Sequence, residues 1–261
     1  MPFQIMGQVK IYQFAQLGWA STVQAVFTRQ GGISPDPFSS LNVGSTVGDD
    51  LANVAENRKR SFDAVGRKLE SMHDVWQVHG TQAVYADAPR HLETPHVQAD
   101  ILLTDNPDVT LYMRFADCVP IFLYDPVKSV VGLAHAGWMG TVKKVAAVAV
   151  GAMADRYGSR PGDIQAGIGP SICQEHYPVG VEVVQQIKQA FSSDASGLLT
   201  FDGEKEHLDL WKANQLTLEQ AGVERIELSG LCTACHLEDW FSHRGEKGRT
   251  GRFGGLIGLK R

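Results

Sequence analysis

No run of about 18 consecutive apolar residues occurs in the 261-residue chain, so no membrane-spanning helix is expected. The first ten residues lack a basic stretch followed by a long apolar core. An export signal is therefore not expected, and the location expected is cytoplasmic. Cysteine is scarce: Cys118, Cys173, Cys232 and Cys235 are the four. In a reducing compartment these read as thiols or metal ligands rather than a disulfide framework. Neither G-x-G-x-x-G nor G-x-x-x-x-G-K-[ST] is present, which argues against dinucleotide and P-loop chemistry. Positive charge is not in excess. The formal net charge is −5, so no nucleic-acid partner is expected, and no membrane partner. The short run Arg58-Lys59-Arg60 reads as a solvated helix face. No Pro-, Ser- or Gln-rich tract and no internal repeat divides the chain, so residues 1–261 are expected to form a single domain.

What is present is an ordinary globular composition, 43% apolar and 20% charged. Val23 to Thr28 reads as a first strand. Gly31, Gly32 and the run Ser34-Pro35-Asp36-Pro37 read as loop. Asp49 or Asp50 can cap a helix from Leu51 to Val65, with Gly66 ending it. A short strand is expected at Val75 to Val78, closing on His79-Gly80. Val109 to Arg114, Val119 to Tyr124 and Val130 to His135 are strand-like, and two of them are almost continuously apolar, as central strands are. Gly137 and Gly140 mark a tight turn before a helix from Thr141 to Arg156, whose Val142, Val145, Ala149 and Met153 share one face. Ile164 to Ile168 and Ile226 to Leu231 read as strands, and Val181 to Phe191 and Leu210 to Gln220 as helices. The Gly- and Arg-rich tail from Arg244 to Gly258 reads as loop, then a short strand. Strands and helices alternate imperfectly. This favours a mixed-sheet α+β fold over a doubly wound parallel sheet.

Three segments place a soft-metal donor at the edge of an apolar strand, close to a Gly or Pro: Gln77-Val78-His79-Gly80, Asp117-Cys118-Val119-Pro120 and Ala134-His135-Ala136-Gly137. Two imidazoles and a thiolate make a three-ligand set suited to catalytic zinc, with a fourth position open to water or substrate. Taken singly, a buried histidine or a small apolar cysteine is the plainer reading. The segment Cys232-Thr233-Ala234-Cys235-His236 matches the haem-attachment pattern C-x-x-C-H. That reading is rejected, because covalent haem belongs to exported proteins. The pair reads instead as structural, in a loop leading to Trp240. A zinc site completed by Cys173 and His176 is the alternative.

The motifs together resemble the YfiH-type family, also called the laccase-domain or multicopper polyphenol oxidase family. They run along nearly the whole chain: Phe27-Thr28-Arg29-Gln30-Gly31-Gly32, Ser40-Leu41-Asn42-Val43-Gly44, Glu56-Asn57-Arg58, Gln77-Val78-His79-Gly80-Thr81, Ala116-Asp117-Cys118-Val119-Pro120, His135-Ala136-Gly137-Trp138, Ile168-Gly169-Pro170, Phe241-Ser242-His243-Arg244 and Thr250-Gly251-Arg252. The resemblance implies a layered α-β-β-α sandwich with mixed sheets, shared in outline with a group of cysteine hydrolases. It implies zinc on His79, Cys118 and His135. It further implies purine nucleoside phosphorolysis of adenosine, inosine and S-methyl-5'-thioadenosine, and adenosine deamination. The chain departs from the family pattern at Met139, Pro178 and His243, which puts substrate preference in question.

Deamination needs a water activated for attack at C6 of the purine, which an open zinc site supplies. It also needs an acid/base, for which Asp117 is the sequence neighbour, provided that the chain turns there. Phosphorolysis needs an anion site. Arg58 and Arg244 are the candidates, with Asn42 as a polar contact. Arg249 and Arg252 read as tail solvation. The nine histidines include no His-x-His pair, too poor a supply for a blue copper plus a trinuclear cluster, although copper could replace zinc at an N/S site. Three rival readings stand: a metal-free cysteine hydrolase using Cys118 and His135, a copper polyphenol oxidase, and a non-catalytic protein with structural zinc.

Overall fold

The computed structural model describes residues 3–91 and 93–261. In chain order the strands are β1 (Phe3–Met6), β2 (Val9–Tyr12), β3 (Thr22–Phe27), β4 (Met72–Asp74), β5 (Ala83–Tyr85), β6 (Ile101–Thr104), β7 (Thr110–Phe115) and β8 (Val119–Asp125). They continue as β9 (Val130–Ala136), β10 (Gln165–Ile168), β11 (Pro178–Val179), β12 (Leu199–Phe201), β13 (Glu206–Leu208), β14 (Arg225–Leu228) and β15 (Phe253–Leu259). The helices are α1 (Leu51–Ala64), α2 (Trp138–Val142), α3 (Val145–Tyr157), α4 (Val181–Phe191) and α5 (Leu210–Gln220).

Two six-stranded mixed sheets carry the fold, ordered β1-β2-β3-β15-β7-β4 and β14-β10-β8-β9-β6-β5. A small third sheet, β11-β13-β12, stands apart. Three apolar clusters define the layers. Phe62 of α1 packs with Phe27, Tyr112 and Leu256 on the outer face of the first sheet. Leu111, Phe115 and Phe253 from that sheet meet Leu102, Phe122 and Leu133 from the second. On the far side, Ile121 and Ala134 pack with Ala149 of α3, Ile187 of α4 and Leu218 of α5. The order is helix, sheet, sheet, helices: the expected α-β-β-α sandwich. Both faces of β8 and β9 are covered, which is why every residue of each is buried.

Several elements fall where residue chemistry puts them. Asp50 caps α1 by accepting from the Ala52 N–H at 2.8 Å. Gly66, at φ +67°, follows the end of that helix. Others differ. Val75 to Val78 is not a strand: Trp76 makes only an isolated bridge to Gln98. The N–H groups of Val78, His79 and Gly80 go to the Asp100 carboxylate instead of a sheet. The helix expected from Thr141 to Arg156 is two helices, because Lys144 between them takes φ 59° and no α-helix continues through that conformation. The tail strand β15 is longer and more central than its glycines suggest. No described helix is long and apolar enough to cross a membrane.

Candidate active site and metal centre

The site sits where the sheets bring three loop mouths together. His79 lies in the turn after β4, Cys118 in the β7–β8 turn, and His135 near the end of β9. Their ligand atoms all lie within 4.8 Å of one another. Cys118 Sγ is 3.9 Å from His79 Nε2, and the two imidazole centroids are 4.9 Å apart. His135 is buried; His79 and Cys118 are half-buried and face a cleft of about 570 Å3. Gly137 makes the convergence possible. A Cβ there would come within 2.9 Å of both Cys118 Sγ and His79 Cδ2, so no larger residue leaves the donors this close.

Asp100 organises two of the three donors. Its fully buried carboxylate accepts from His135 Nδ1 at 2.8 Å and from the backbone N–H groups of Val78, His79 and Gly80 at 3.1, 3.1 and 2.6 Å. The last three bonds fix a turn in which His79 holds φ 59°, a costly conformation for a residue with a side chain. The first leaves His135 Nε2 as the ring nitrogen free to bind a metal. Burial would raise the Asp100 pKa, but the His135 hydrogen bond and charge and the Gly80 and Val78 N–H groups hold it below the usual carboxylate value.

Cys118 and His135 titrate as a coupled pair. Burial pushes the Cys118 thiol up, but the neighbouring His135 charge and hydrogen bonds from both histidines more than offset it, leaving the thiol at about 6. Burial pulls His135 down, and the Cys118 thiolate and Asp100 overcome it, raising the imidazole to about 9. The donor set therefore fits a metal on three counts: two nitrogens and a sulfur converge, one imidazole is oriented by a carboxylate, and the sulfur favours its anionic form.

The chain does turn at Asp117, whose φ is 82°. Its buried carboxylate is heavily engaged, however. Oδ1 accepts from Thr233 Oγ1 and Ser242 Oγ, both at 2.7 Å, and Oδ2 from the Arg244 N–H at 2.7 Å. Arg244 lines the cleft, stacks its guanidinium 5.0 Å from the Tyr177 ring centroid and donates to the Pro178 carbonyl at 2.8 Å. Asn42 and Arg58 are not among the lining residues. Fully buried Asn42 donates to Asp49 and the Gly44 carbonyl and accepts from the Gly44 and Arg252 N–H groups. Arg58 donates through Nε and Nη2 to the Val43 carbonyl, at 3.0 and 2.9 Å. Both hold the loop that brings Gly44, Ser45 and Thr46 to the cleft.

Sequence reasoning missed two residues. Asp100 carried a visible signal, since it is a lone carboxylate at the foot of the apolar run Ile101-Leu102-Leu103. Arg252, assigned to tail solvation, instead lines the cleft, while Arg249 is exposed as expected. The aliphatic stem of Arg252 passes over Gly44, where a Cβ would sit 2.7 Å from Arg252 Cγ. Burial lowers the guanidinium pKa, and the nearby Cys118 and Asp117 charges oppose that shift. Trp76, Trp138 and Tyr177 add aromatic faces to the cleft.

A family model described as multi-copper polyphenol oxidoreductase laccase matches residues 23–260. The chain belongs to that family. Within this laccase-named family, the chain is 38% identical over 258 residues to the purine nucleoside phosphorylase YlmD of Bacillus subtilis, covering 93% of the chain and 92% of the relative. It is 41% identical over 240 residues to a purine nucleoside phosphorylase of Deinococcus radiodurans, with 91% and 89% covered. The crystal structure of YlmD from Geobacillus stearothermophilus superposes with a TM-score of 0.93 at 34% identity, covering 100% of this chain and 99% of that one. Two of the three departures from the family pattern, Met139 and His243, line the cleft, and the third, Pro178, holds Arg244 through its carbonyl.

Proposed function

We propose that the protein is a zinc-dependent purine nucleoside phosphorylase, acting on adenosine, inosine and S-methyl-5'-thioadenosine, with adenosine deaminase activity at the same site. The observation that carries this reading is the placement of a two-histidine, one-cysteine donor set in a cleft that also presents guanidinium groups and aromatic faces. The names borne by the relatives support it. In phosphorolysis a phosphate oxygen bonds to C1′ of the ribose, the C1′–N9 bond breaks, and its electron pair leaves with the base. His79, Cys118 and His135 would hold the zinc ion, which when bound supplies Lewis-acid stabilisation of charge developing on the reactants.

The chain's own side chains divide the remaining work. Arg252 and Arg244 draw phosphate into the cleft by charge-assisted hydrogen bonds. Trp76, Trp138 and Tyr177 offer flat apolar faces for the purine. Asp117, expected as an acid/base, acts as a positioning residue, since three donors occupy its carboxylate and tie it to the Arg244 backbone. Asn42 and Arg58, expected at the phosphate, support the cleft loop from behind. Purified zinc-loaded protein with adenosine and phosphate should release adenine and ribose 1-phosphate. Free base should require phosphate, and inosine should form from adenosine without it. Absence of every product, with His135→Ala indistinguishable from the parent, would overturn the proposal.

One observation favours a second reading. Cys118, His135 and Asp100 form a thiol–imidazole–carboxylate series with a low thiol pKa, the order a nucleophilic cysteine and its base require. Alkylation separates the two. Zinc bound through Cys118 protects it from iodoacetamide, whereas a cysteine hydrolase is inactivated with or without zinc.

A further inference from the structure

We infer that Cys173, His176, Cys232 and Cys235 form a second zinc site, closed and structural, at the surface behind the cleft wall. The pair Cys232/Cys235, expected to be a plain loop feature, is brought beside Cys173 and His176, 59 residues away in sequence. All four ligand atoms lie within 4.8 Å of one another. Cys173 Sγ is 3.3 Å from His176 Nδ1 and 3.9 Å from Cys235 Sγ, and Cys235 Sγ is 3.4 Å from His176 Nδ1. A tetrahedron with Zn–S of about 2.3 Å and Zn–N of about 2.0–2.1 Å has edges of about 3.8 Å between sulfurs and about 3.6 Å between sulfur and nitrogen. The three edges among Cys173, His176 and Cys235 lie within about 0.3 Å of those values.

The surroundings suit a metal-bound thiolate. Cys232 Sγ accepts backbone N–H bonds from Cys173 at 3.2 Å and Cys235 at 3.4 Å, and such donors stabilise an anionic sulfur. Cys173 and Cys232 are buried while His176 and Cys235 are exposed, so the metal has an entry path from solvent. Four protein donors leave no open coordination position, which marks the site as structural. Zinc would pin together two segments already joined by the Ser171–Cys232 bridge. Those segments in turn hold the turn bearing Cys118: the Ile172 N–H donates to the Asp117 carbonyl, and the Thr233 hydroxyl to the Asp117 carboxylate.

The test is metal stoichiometry on the full-length protein, after removal of loosely bound ions and re-addition of zinc alone. The parent should hold two zinc ions per chain. His135→Ala should hold one, and His135→Ala combined with Cys235→Ser should hold none. Cobalt-loaded His135→Ala should show the strong visible bands of a tetrahedral thiolate site, and His135→Ala with His176→Ala should lose them. Cys235 and His176 are exposed, and circular dichroism of each variant reports whether its fold survives. A parent zinc that His135→Ala removes entirely, or retention of two after Cys235→Ser, overturns the inference. So does a parent preparation in which these cysteines are disulfide-bonded and metal-free. Because zinc content rather than turnover is read, failure here is distinguishable from failure of the nucleoside reading.

Discussion

The cleft set of His79, Cys118 and His135 and the surface set of Cys173, His176, Cys232 and Cys235 use the same atom types to opposite ends. The cleft set has three donors, a supporting carboxylate in Asp100, and an opening lined by arginines and aromatic rings. The surface set has four donors and backbone N–H support. Donor count decides whether a coordination position stays open for chemistry. Sequence distance separates them too. The surface donors come in two C-x-x-type pairs, whereas the cleft donors come from three segments far apart in sequence.

The comparison breaks most sharply on ligand removal. His135→Ala or Cys118→Ala should lower kcat/KM for adenosine phosphorolysis by about 1,000-fold or more, as expected when a catalytic metal is lost. Cys235→Ser should leave kcat/KM within about threefold and lower the melting temperature instead, consistent with a structural metal stabilising only the folded state. Thermal denaturation and steady-state kinetics on the same preparations check both. Next in size, Asp100→Asn should weaken zinc binding in the cleft about 10- to 100-fold, the usual cost of removing a carboxylate behind a ligating histidine. Competition with a chromophoric chelator measures this, and the surface zinc should stay unaffected.

Arg252→Ala should raise the KM for phosphate about 10- to 150-fold, corresponding to about 1.5–3 kcal/mol for a charge-assisted hydrogen bond, with zinc content unchanged. A final effect is on pH. Between about 6 and about 9 the metal-free cleft holds Cys118 as thiolate and His135 as imidazolium. Zinc binding must then displace the His135 proton. Raising the pH removes that competitor, so these two groups make the apparent affinity climb about tenfold per unit across the window and level off above it. Below about 6 the Cys118 proton competes as well and the slope steepens. Calorimetry in buffers of different ionisation enthalpy should detect about one proton released near pH 7.5.

Much of this architecture was legible in the residues, and what was not has physical causes. Val181–Phe191 and Leu210–Gln220 match α4 and α5 end to end, because their apolar spacing is helical, and Asp209 caps the second. The three cleft donors stood out because each sits at the edge of an apolar run close to a Gly or Pro. β15 read only as a short strand closing a loop because Phe253-Gly254-Gly255-Leu256-Ile257-Gly258-Leu259 is glycine-rich, and glycine weakens strands. Packing overrides that preference. A Cβ at Gly254 would collide with the Tyr112 hydroxyl, and one at Gly255 would come 3.0 Å from the Phe115 ring. Asp100 and Arg252 escaped because their partners are distant in sequence. The closeness of Arg252 to Cys118 exists only once β15 lies beside β7.

The central claim is that the cleft set is a catalytic zinc centre for purine nucleosides. The most direct measurement incubates metal-stripped protein with adenosine and phosphate, with and without stoichiometric zinc, and separates the products. Zinc-dependent formation of adenine and ribose 1-phosphate, abolished in His135→Ala and retained in Cys235→Ser, is the predicted result. Equal turnover with and without zinc, or none in either case, would contradict it.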